Sequence, residues 1–436
     1  MIGIVVSEAD NASVAIGKQL LDLTDWTMTT PDQEYRRPGM ELQWFDEMHL
    51  SLESVADNFD DPDLIVFVSR HAGETGALLT AHFPGNVGDA AYGGSPNQVP
   101  VAAPAALASI YRQLNELAPP AYDAGIECTH HGPSNVGAPC LFVEVGSGPE
   151  QWTDEAAARA VARAVLTLKE TPPHSASQTI VGVGGGHYAP KFERIIAETG
   201  WSVGHIAADW ALKELPDRET ERHVIDSLFE RSGTDLATCD GVDTDRVRMI
   251  ESLGYRVVSE SWLRETDGID ATLVATIERL LGSIEDGTRV GSCVDVEPSE
   301  LEHRRYPAEL FAELQARDRT GAIEIVSETT TAFRTAENGN RLVGDVLMPA
   351  TSDPQTVVDA AIPLLERRYD AVEWEDDALI LQDCSFDPER AKALGVPEGP
   401  AFGRLANGES VTVGESVIEP EQVRTSKTQK IPVLPG

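Results

Sequence analysis

Lysine is nearly absent: seven occur in 436 residues, so arginine supplies most of the 34 basic side chains set against 72 aspartates and glutamates. The resulting formal charge of −38 is spread along the whole chain and is not gathered in a tail. Such a surface argues against binding through a broad basic face, and it suits a protein that lives in molar salt, as in halophilic archaea. A polyanionic partner is disfavoured by this charge at ordinary salt. At molar salt the Debye length falls to about 3 Å, and local arginine contacts can then decide. Cysteine is sparse too. Cys128, Cys140, Cys239, Cys293 and Cys384 form no CxxC pair, which argues against a disulfide framework or a cysteine-rich zinc module and fits a reduced cytoplasm. No apolar run reaches the roughly 18 residues a membrane span needs, so no membrane partner is expected. Met1-Ile2-Gly3-Ile4-Val5-Val6-Ser7 has no basic stretch and no cleavage signature, and reads as a first core strand.

What the chain does carry is concentrated in two stretches. Cys128-Thr129-His130-His131-Gly132-Pro133-Ser134-Asn135 leads into the apolar strand Leu141-Phe142-Val143-Glu144-Val145-Gly146-Ser147. A carboxylate inside a buried strand must be paired, hydrogen-bonded or shifted in pKa, and enzymes use such groups beside imidazoles as bases or metal ligands. The plainer alternative is that His130 and His131 cap a turn and Glu144 anchors a backbone amide. The second stretch, Thr179 to Phe192, reads as a β-branched strand, a turn at Gly184-Gly185-Gly186, then a helix opening near Pro190. It has neither the Gly-Lys-Ser/Thr ending of a P-loop nor the GxGxxG spacing of a dinucleotide fingerprint. Instead the turn delivers His187, Tyr188 and Lys191, and its amides suit an anion. Cys128 as a nucleophile is a third candidate, set against the inertness of most buried thiols.

The length predicts two domains, or one with a long extension. Leu64 to Val68 suits a central strand, and Ser69, Arg70 and His71 leave its C-terminal end, the edge where open α/β sheets bind ligands. Thr80-Ala81-His82-Phe83-Pro84-Gly85-Asn86 repeats the pattern Thr-x-His-x-Pro-x-Asn of residues 129 to 135, and is expected to set His82 and His131 on opposite walls of one pocket. Residues 88 to 99 read as a lid or surface loop. Arg36 to Phe45 has strand character. Helices are expected near 9–23, 100–117, 152–170, 191–199, 217–229 and 243–253, with strands at 201–207 and 255–259. His205, in an apolar strand, is either a satisfied core histidine or a ligand. The alternation argues for an α/β fold with a mixed or mostly parallel sheet flanked by helices. Beyond about residue 265 the pattern changes to an α+β extension, with helices at 270–281, 307–315 and 354–368 and a β meander over 321–349. The expected division is therefore 1–265 and 266–436.

Thr129 to Pro133, Phe142 to Ser147, Gly182 to Lys191 and Gly204-His205-Ile206 together resemble the archaeal and plant type of D-aminoacyl-tRNA deacylase, and Ser69 to His71 and His82 to Asn86 are similar to the same family's earlier signatures. The resemblance covers roughly residues 1 to 260. It implies hydrolysis of the ester joining a D-amino acid to the tRNA 3′ end, a D-aminoacyl-tRNA partner, and zinc as cofactor. On it, His130, His131, Glu144 and His187 are the expected zinc ligands and, with Tyr188, the catalytic groups. Lys191, Gly184, Gly185, Gly186, His71, His82, Asn86 and His205 are the expected substrate contacts. A cytoplasmic monomer is expected. The closing segment, Leu394-Gly395-Val396-Pro397-Glu398-Gly399-Pro400, looks like a stretch of the tRNase Z group and implies either a tRNA-contacting appendage or a stabilising add-on. The competing functions are a peptidyl-tRNA hydrolase-like or nucleoside phosphorylase-like enzyme, and a non-catalytic tRNA-binding module with structural zinc.

Overall fold

The computed structural model describes residues 1–30, 34–170, 178–241, 243–375 and 378–433. They fall into two compact units, Met1–Gly268 and Ile269–Gly436. The first unit contains an eight-stranded sheet made of β1 (Ile2–Ser7), β2 (Thr27–Thr30), β3 (Glu34–Arg37), β4 (Met40–Phe45), β5 (Leu64–Arg70), β6 (Leu78–His82), β7 (Asp123–Ile126) and β8 (Cys140–Gly146), in the order β2-β3-β4-β1-β5-β8-β6-β7. The centre, β4-β1-β5-β8, is parallel, and its residues are wholly apolar on both faces over Ile4–Val6 and Leu64–Val68. β6 enters antiparallel to β8 and pairs with β7 in parallel, so the sheet is mixed. The expected strand over 36–45 is two strands, β3 and β4, folded into a hairpin at Gly39, whose φ of +79° a side chain would resist.

A second, all-parallel sheet follows: β9 (Thr179–Gly184), β10 (Ser202–Ala207), β11 (Leu236–Asp240) and β12 (Arg256–Val257), in the order β10-β9-β11-β12. The helices Asn11–Leu23, Pro104–Leu117 and Glu155–Thr167 pack on one another and on the first sheet, while Arg218–Ser232 packs against β9 and β10. Their starts follow local rules. Asp10 and Asp154 accept two backbone amides each at the helix N-termini, and Pro104 and Pro190 occupy first-turn positions where the missing N–H costs nothing.

The second unit is α+β and wholly antiparallel in its sheets. Thr288–Val290, Ala332–Ala336, Arg341–Pro349 and Leu301–Arg305 form one, and Ala371–Glu375, Ala378–Phe386 and Arg424–Pro432 another. Tyr306, Phe311, Val346, Val357 and Leu379 share its core. The meander expected over 321–349 begins only at Ala332. Arg319–Thr329 is a helix instead, capped by Asp318, whose carboxylate accepts Gly321 N at 2.9 Å, with Ala322 and Val326 buried four residues apart. The β-branched run Ile323-Glu324-Ile325-Val326 mimicked strand alternation, and tertiary burial at helical spacing overrode it. Among the described residues no helix is long and apolar enough to cross a membrane.

Candidate active site

Pairing register creates the site. Phe67 of β5, Phe142 of β8 and His82 of β6 lie in one row across the sheet, with Ser69, Glu144 and Thr80 in the next row towards the C-terminal edge of β5 and β8. Side chains alternate with period two along a strand, so both rows face the same side. The first row stacks, Phe142 lying 4.5 Å from Phe67 and 5.2 Å from the His82 ring. The second row is polar: Ser69 Oγ donates to Glu144 Oε1 at 2.6 Å. His71 extends β5 by one more backbone bond to Val145, and it fits because Gly146 leaves room; a Cβ there would lie 2.6 Å from His71 Cβ.

Glu127 enters from beyond β7. The chain from Ile126 to Thr129 is held on its other side by the second sheet: Ala189 N donates to Ile126 O at 2.9 Å, Cys128 N to His187 O at 2.8 Å, and Thr129 N to Ile206 O at 2.9 Å. This seam carries His187 to the first sheet, where its Nε2 lies 2.8 Å from Glu127 Oε2. The Glu127 carboxylate also stands 3.1 Å from His71 Nδ1 and 3.5 Å from His130 Nε2. Glu144 stands 3.4 Å from His82 Nε2 and 3.6 Å from His71 Nδ1. His71 Nε2 meets the Tyr188 hydroxyl at 2.9 Å.

The imidazoles sort into two kinds. Nδ1 of His82, His130 and His131 each lies beside a backbone carbonyl, of Phe83 at 3.1 Å, Cys128 at 2.8 Å and Gly132 at 2.8 Å. A carbonyl can only accept, so Nδ1 carries the hydrogen and Nε2 is left as the second ring nitrogen to be used. Ligand atoms of these three residues all lie within 4.8 Å of one another, as do those of Cys128, His130 and His187, and those of His71, Glu127 and Glu144. The two buried carboxylates need compensating charge. Burial opposes ionisation of Glu127, but contacts with His187 and His71 hold it well below the carboxylate range; Glu144 is likewise held low by His71 and His82 against its burial. Burial works against a proton on His71, yet Glu127 and Glu144 push it up to about 11. His82 is also raised, its burial outweighed by Glu144, whereas burial and the charge of His82 push His131 down to about 4 and His130 well below the usual value. His71, His130, His131, Glu144 and His187 form the floor of a cavity of about 430 Å³ whose walls include Asp10, His49, Arg70, Tyr92 and Phe142, with His82 and Glu127 buried behind them.

Similarity to known proteins carries the argument from geometry to family. Residues 58–258 match the family model described as D-aminoacyl-tRNA deacylase. A D-aminoacyl-tRNA deacylase of Natronomonas pharaonis is 44% identical over 439 residues, covering 99% of each chain, and one of Haloarcula marismortui is 42% identical over 448 residues with the same coverage. The chain belongs to the D-aminoacyl-tRNA deacylase family. A crystal structure described as a conserved protein of unknown function superposes with a TM-score of 0.54 at 26% identity, over 61% of this chain and 98% of its own.

Within this family member, the structure gathers His71, His82, His130, His131, Glu144, His187 and Tyr188 into one cluster. His82 and His131 are neighbours, their ring centroids 4.8 Å apart, and do not face each other across the cavity. Asn86 is buried behind them, its amide donating to Gly93 O at 2.8 Å and so holding the 88–99 loop. His205 is fully buried elsewhere, bonded to Thr129 Oγ1 at 3.0 Å and Pro100 O at 2.8 Å. Lys191 donates to Cys239 O at 2.6 Å, and Gly184 and Gly185 turn the chain against Asp240, so these residues and Gly186 are not among those lining the cavity. The Cys128 thiol is pushed up to about 12 by burial and by Glu127, which removes it as a nucleophile at neutral pH. Sequence reasoning missed Glu127, although it is a carboxylate between Ile126 and Cys128 and the argument made for Glu144 applies to it equally. It also missed Asp10, which reads locally only as a helix cap, and His49, for which no local signal exists.

Proposed function

We infer that the histidine and carboxylate cluster is the active site of the reaction that family membership assigns: hydrolysis of the ester between a D-amino acid and the 3′-terminal ribose of tRNA, giving free tRNA and free D-amino acid. The observation that carries this reading is the cluster of His82, His130 and His131, whose ligand atoms lie within 4.8 Å of one another, with buried Glu144 3.4 Å from His82 and buried Glu127 3.5 Å from His130, beside a cavity that His130, His131 and Glu144 line. The donor set fits a divalent metal. His82 Nε2 is buried without a hydrogen-bond partner and faces Glu144, the place where a cation replaces the proton that the carboxylate otherwise attracts. Zinc suits three imidazoles with an open position, and His82, His130 and His131 would hold it, with Glu144 adjacent. Bound there, zinc would supply Lewis acidity to the ester carbonyl and to water.

The chain's own groups supply the rest. Glu127 and Glu144 favour a second proton on His71, whose Nε2–H then donates to the Tyr188 oxygen; the Tyr188 hydrogen, with Thr75 Oγ1 3.3 Å away as its resting partner, can turn to an oxygen of the substrate, where charge builds as water attacks the carbonyl. His187 gives its Nε2 hydrogen to Glu127 and presents Nδ1, 3.9 Å from Cys128 Sγ, as the general base that takes the proton of the attacking water and returns it to the departing ribose oxygen. Glu144 keeps His71 charged and is itself steadied by Ser69. All these side chains come from Met1–Gly268, which we take as the catalytic unit working as a monomer, with Ile269–Gly436 an extension that supplies none of them.

The test is release of D-tyrosine and L-tyrosine from their charged tRNAs in molar KCl, before and after chelation and with zinc restored. D-selective turnover lost on chelation and recovered with zinc is expected. D-selective turnover unaffected by verified metal removal would transfer the chemistry to the imidazoles and carboxylates alone, and no turnover by folded protein would sink the assignment.

A further inference from the structure

One wall of the cavity is built differently from its floor. Tyr92 is 70% exposed, the most exposed large apolar side chain among the described residues, yet it lines the same cavity as His130, His131 and His187. The other prominently exposed ones, Met28, Trp210, Leu394 and Val417, do not. An exposed aromatic ring normally sits on a mobile or featureless surface. The backbone beneath Tyr92 is the opposite. Tyr92 O accepts Gly132 N at 2.9 Å, tying it to the turn that carries His131. The chain then bends through Gly93 and Gly94 at φ of +80° and +78°; a Cβ on Gly93 would lie 2.1 Å from Leu50 O, and one on Gly94 would lie 2.3 Å from Ser134 Oγ. Asn86 grips Gly93 O and Ser95 O, and Ser134 Oγ accepts Ser95 N at 2.8 Å.

The loop is thus pinned at Tyr92 and through the three residues that follow it, while the ring itself stays mostly exposed. Folding gains little by placing a tyrosine there, whereas a fixed aromatic face beside a reactive floor is what a flat π-system binds, at small cost in ordering the protein. The substrate's ester is attached to a ribose, and that ribose also carries the terminal base. A ring that stacks on the base must therefore share the cavity with the groups that attack the ester, and Tyr92 does.

We propose that Tyr92 is the stacking platform for the 3′-terminal nucleobase of tRNA. The proposal rests on the assignment of the cavity to the tRNA ester. Stacking on an aromatic side chain does not use the phosphate charge, which molar KCl screens, so it supplies affinity to this acidic protein where electrostatics supplies little.

The experiment uses the full chain in molar KCl with uncharged tRNA carrying 2-aminopurine at its 3′ terminus, whose fluorescence falls when the base stacks. Wild type and Tyr92→Phe should quench it, and Tyr92→Ala should not. With D-tyrosyl-tRNA, Tyr92→Ala should raise KM about tenfold and leave kcat within about threefold, the size expected for one lost base–aromatic stack. Quenching that survives in Tyr92→Ala, or a fall in kcat with KM unchanged, would overturn the proposal. Failure of the deacylase assignment would be seen separately, as absence of turnover by wild type, while quenching of uncharged tRNA still reports on Tyr92.

Discussion

Replacing Glu127 by Gln keeps the shape of the side chain and removes one negative charge from beneath three imidazoles. His71 Nδ1 lies 3.1 Å from Glu127 and 3.6 Å from Glu144, so the substitution deletes the nearer of its two counter-charges. At that distance and an effective dielectric of about 20, the lost attraction is about 5 kcal/mol, equivalent to roughly 4 pKa units. His71, held up at about 11, would then titrate near neutrality. The direct assay is a histidine-selective nitrogen–proton correlation spectrum of metal-free protein, recorded from pH 6 to 9. Wild-type His71 should stay doubly protonated throughout, while His71 of Glu127→Gln should lose a proton within that range. In the zinc-loaded enzyme, kcat/KM for D-tyrosyl-tRNA should fall by about 10² to 10⁴, the usual range for disabling a general acid–base pair, because His187 loses its carboxylate partner and His71 loses the second proton that it shares with Tyr188. His71 still protonated at pH 9, or activity within threefold of wild type, would refute the electrostatic account of the cluster.

Three further outcomes are expected. His82→Ala and His131→Ala should each bind less than half the zinc of wild type by elemental analysis while remaining folded, and unchanged metal content would remove them from the ligand set. Metal-free protein should lose stability as pH falls from 6.5 to 4, because His49, His131 and His205 are each pushed down to about 4 by burial, so the unfolded chain takes up their protons first. Each contributes at most about 3 kcal/mol, and His205→Asn should flatten the acid limb in denaturation curves. His71 acts in the other direction: its stabilising contribution is complete below 6.5 and declines as pH rises towards about 11. Gly185→Ala should destabilise by about 1–3 kcal/mol in chemical denaturation, since Gly185 has a φ of +79° and a Cβ would lie 2.7 Å from Asp240 Oδ2. Gly186→Ala, whose Cβ would lie 3.9 Å from its nearest neighbour, should be close to neutral, and equal effects would undo the argument.

Much of the first unit was legible because its elements are locally consistent. The β-branched runs at Leu64–Val68 and Thr179–Gly184, the helix caps and the Pro-opened helices are short-range signals, and the folded chain obeys them. The error at Arg319–Thr329 has the same origin: a β-branched run permits either period, and only the burial of Ala322 and Val326 chose the helix. The site divides similarly. His130, His131, Glu144 and His187 stood out because polar groups interrupt apolar or glycine-rich stretches, and that contrast is visible in the chain itself.

The sequence by itself determined the alphabet of the site, its family, and the acidic surface suited to molar salt. Tertiary structure decided which letters meet. Glu127 reaches His71, His130 and His187 only because β6 enters the sheet antiparallel to β8 and because residues 126–129 form a seam with β10 and the chain following β9. The turn at Gly184 to Gly186 and the ammonium of Lys191, which carry comparable chemistry, are directed to Asp240 and Cys239 instead. Residue type and spacing fix what a side chain can do over a few residues, whereas its partner sixty residues away is set by strand order and register, quantities that belong to the whole sheet.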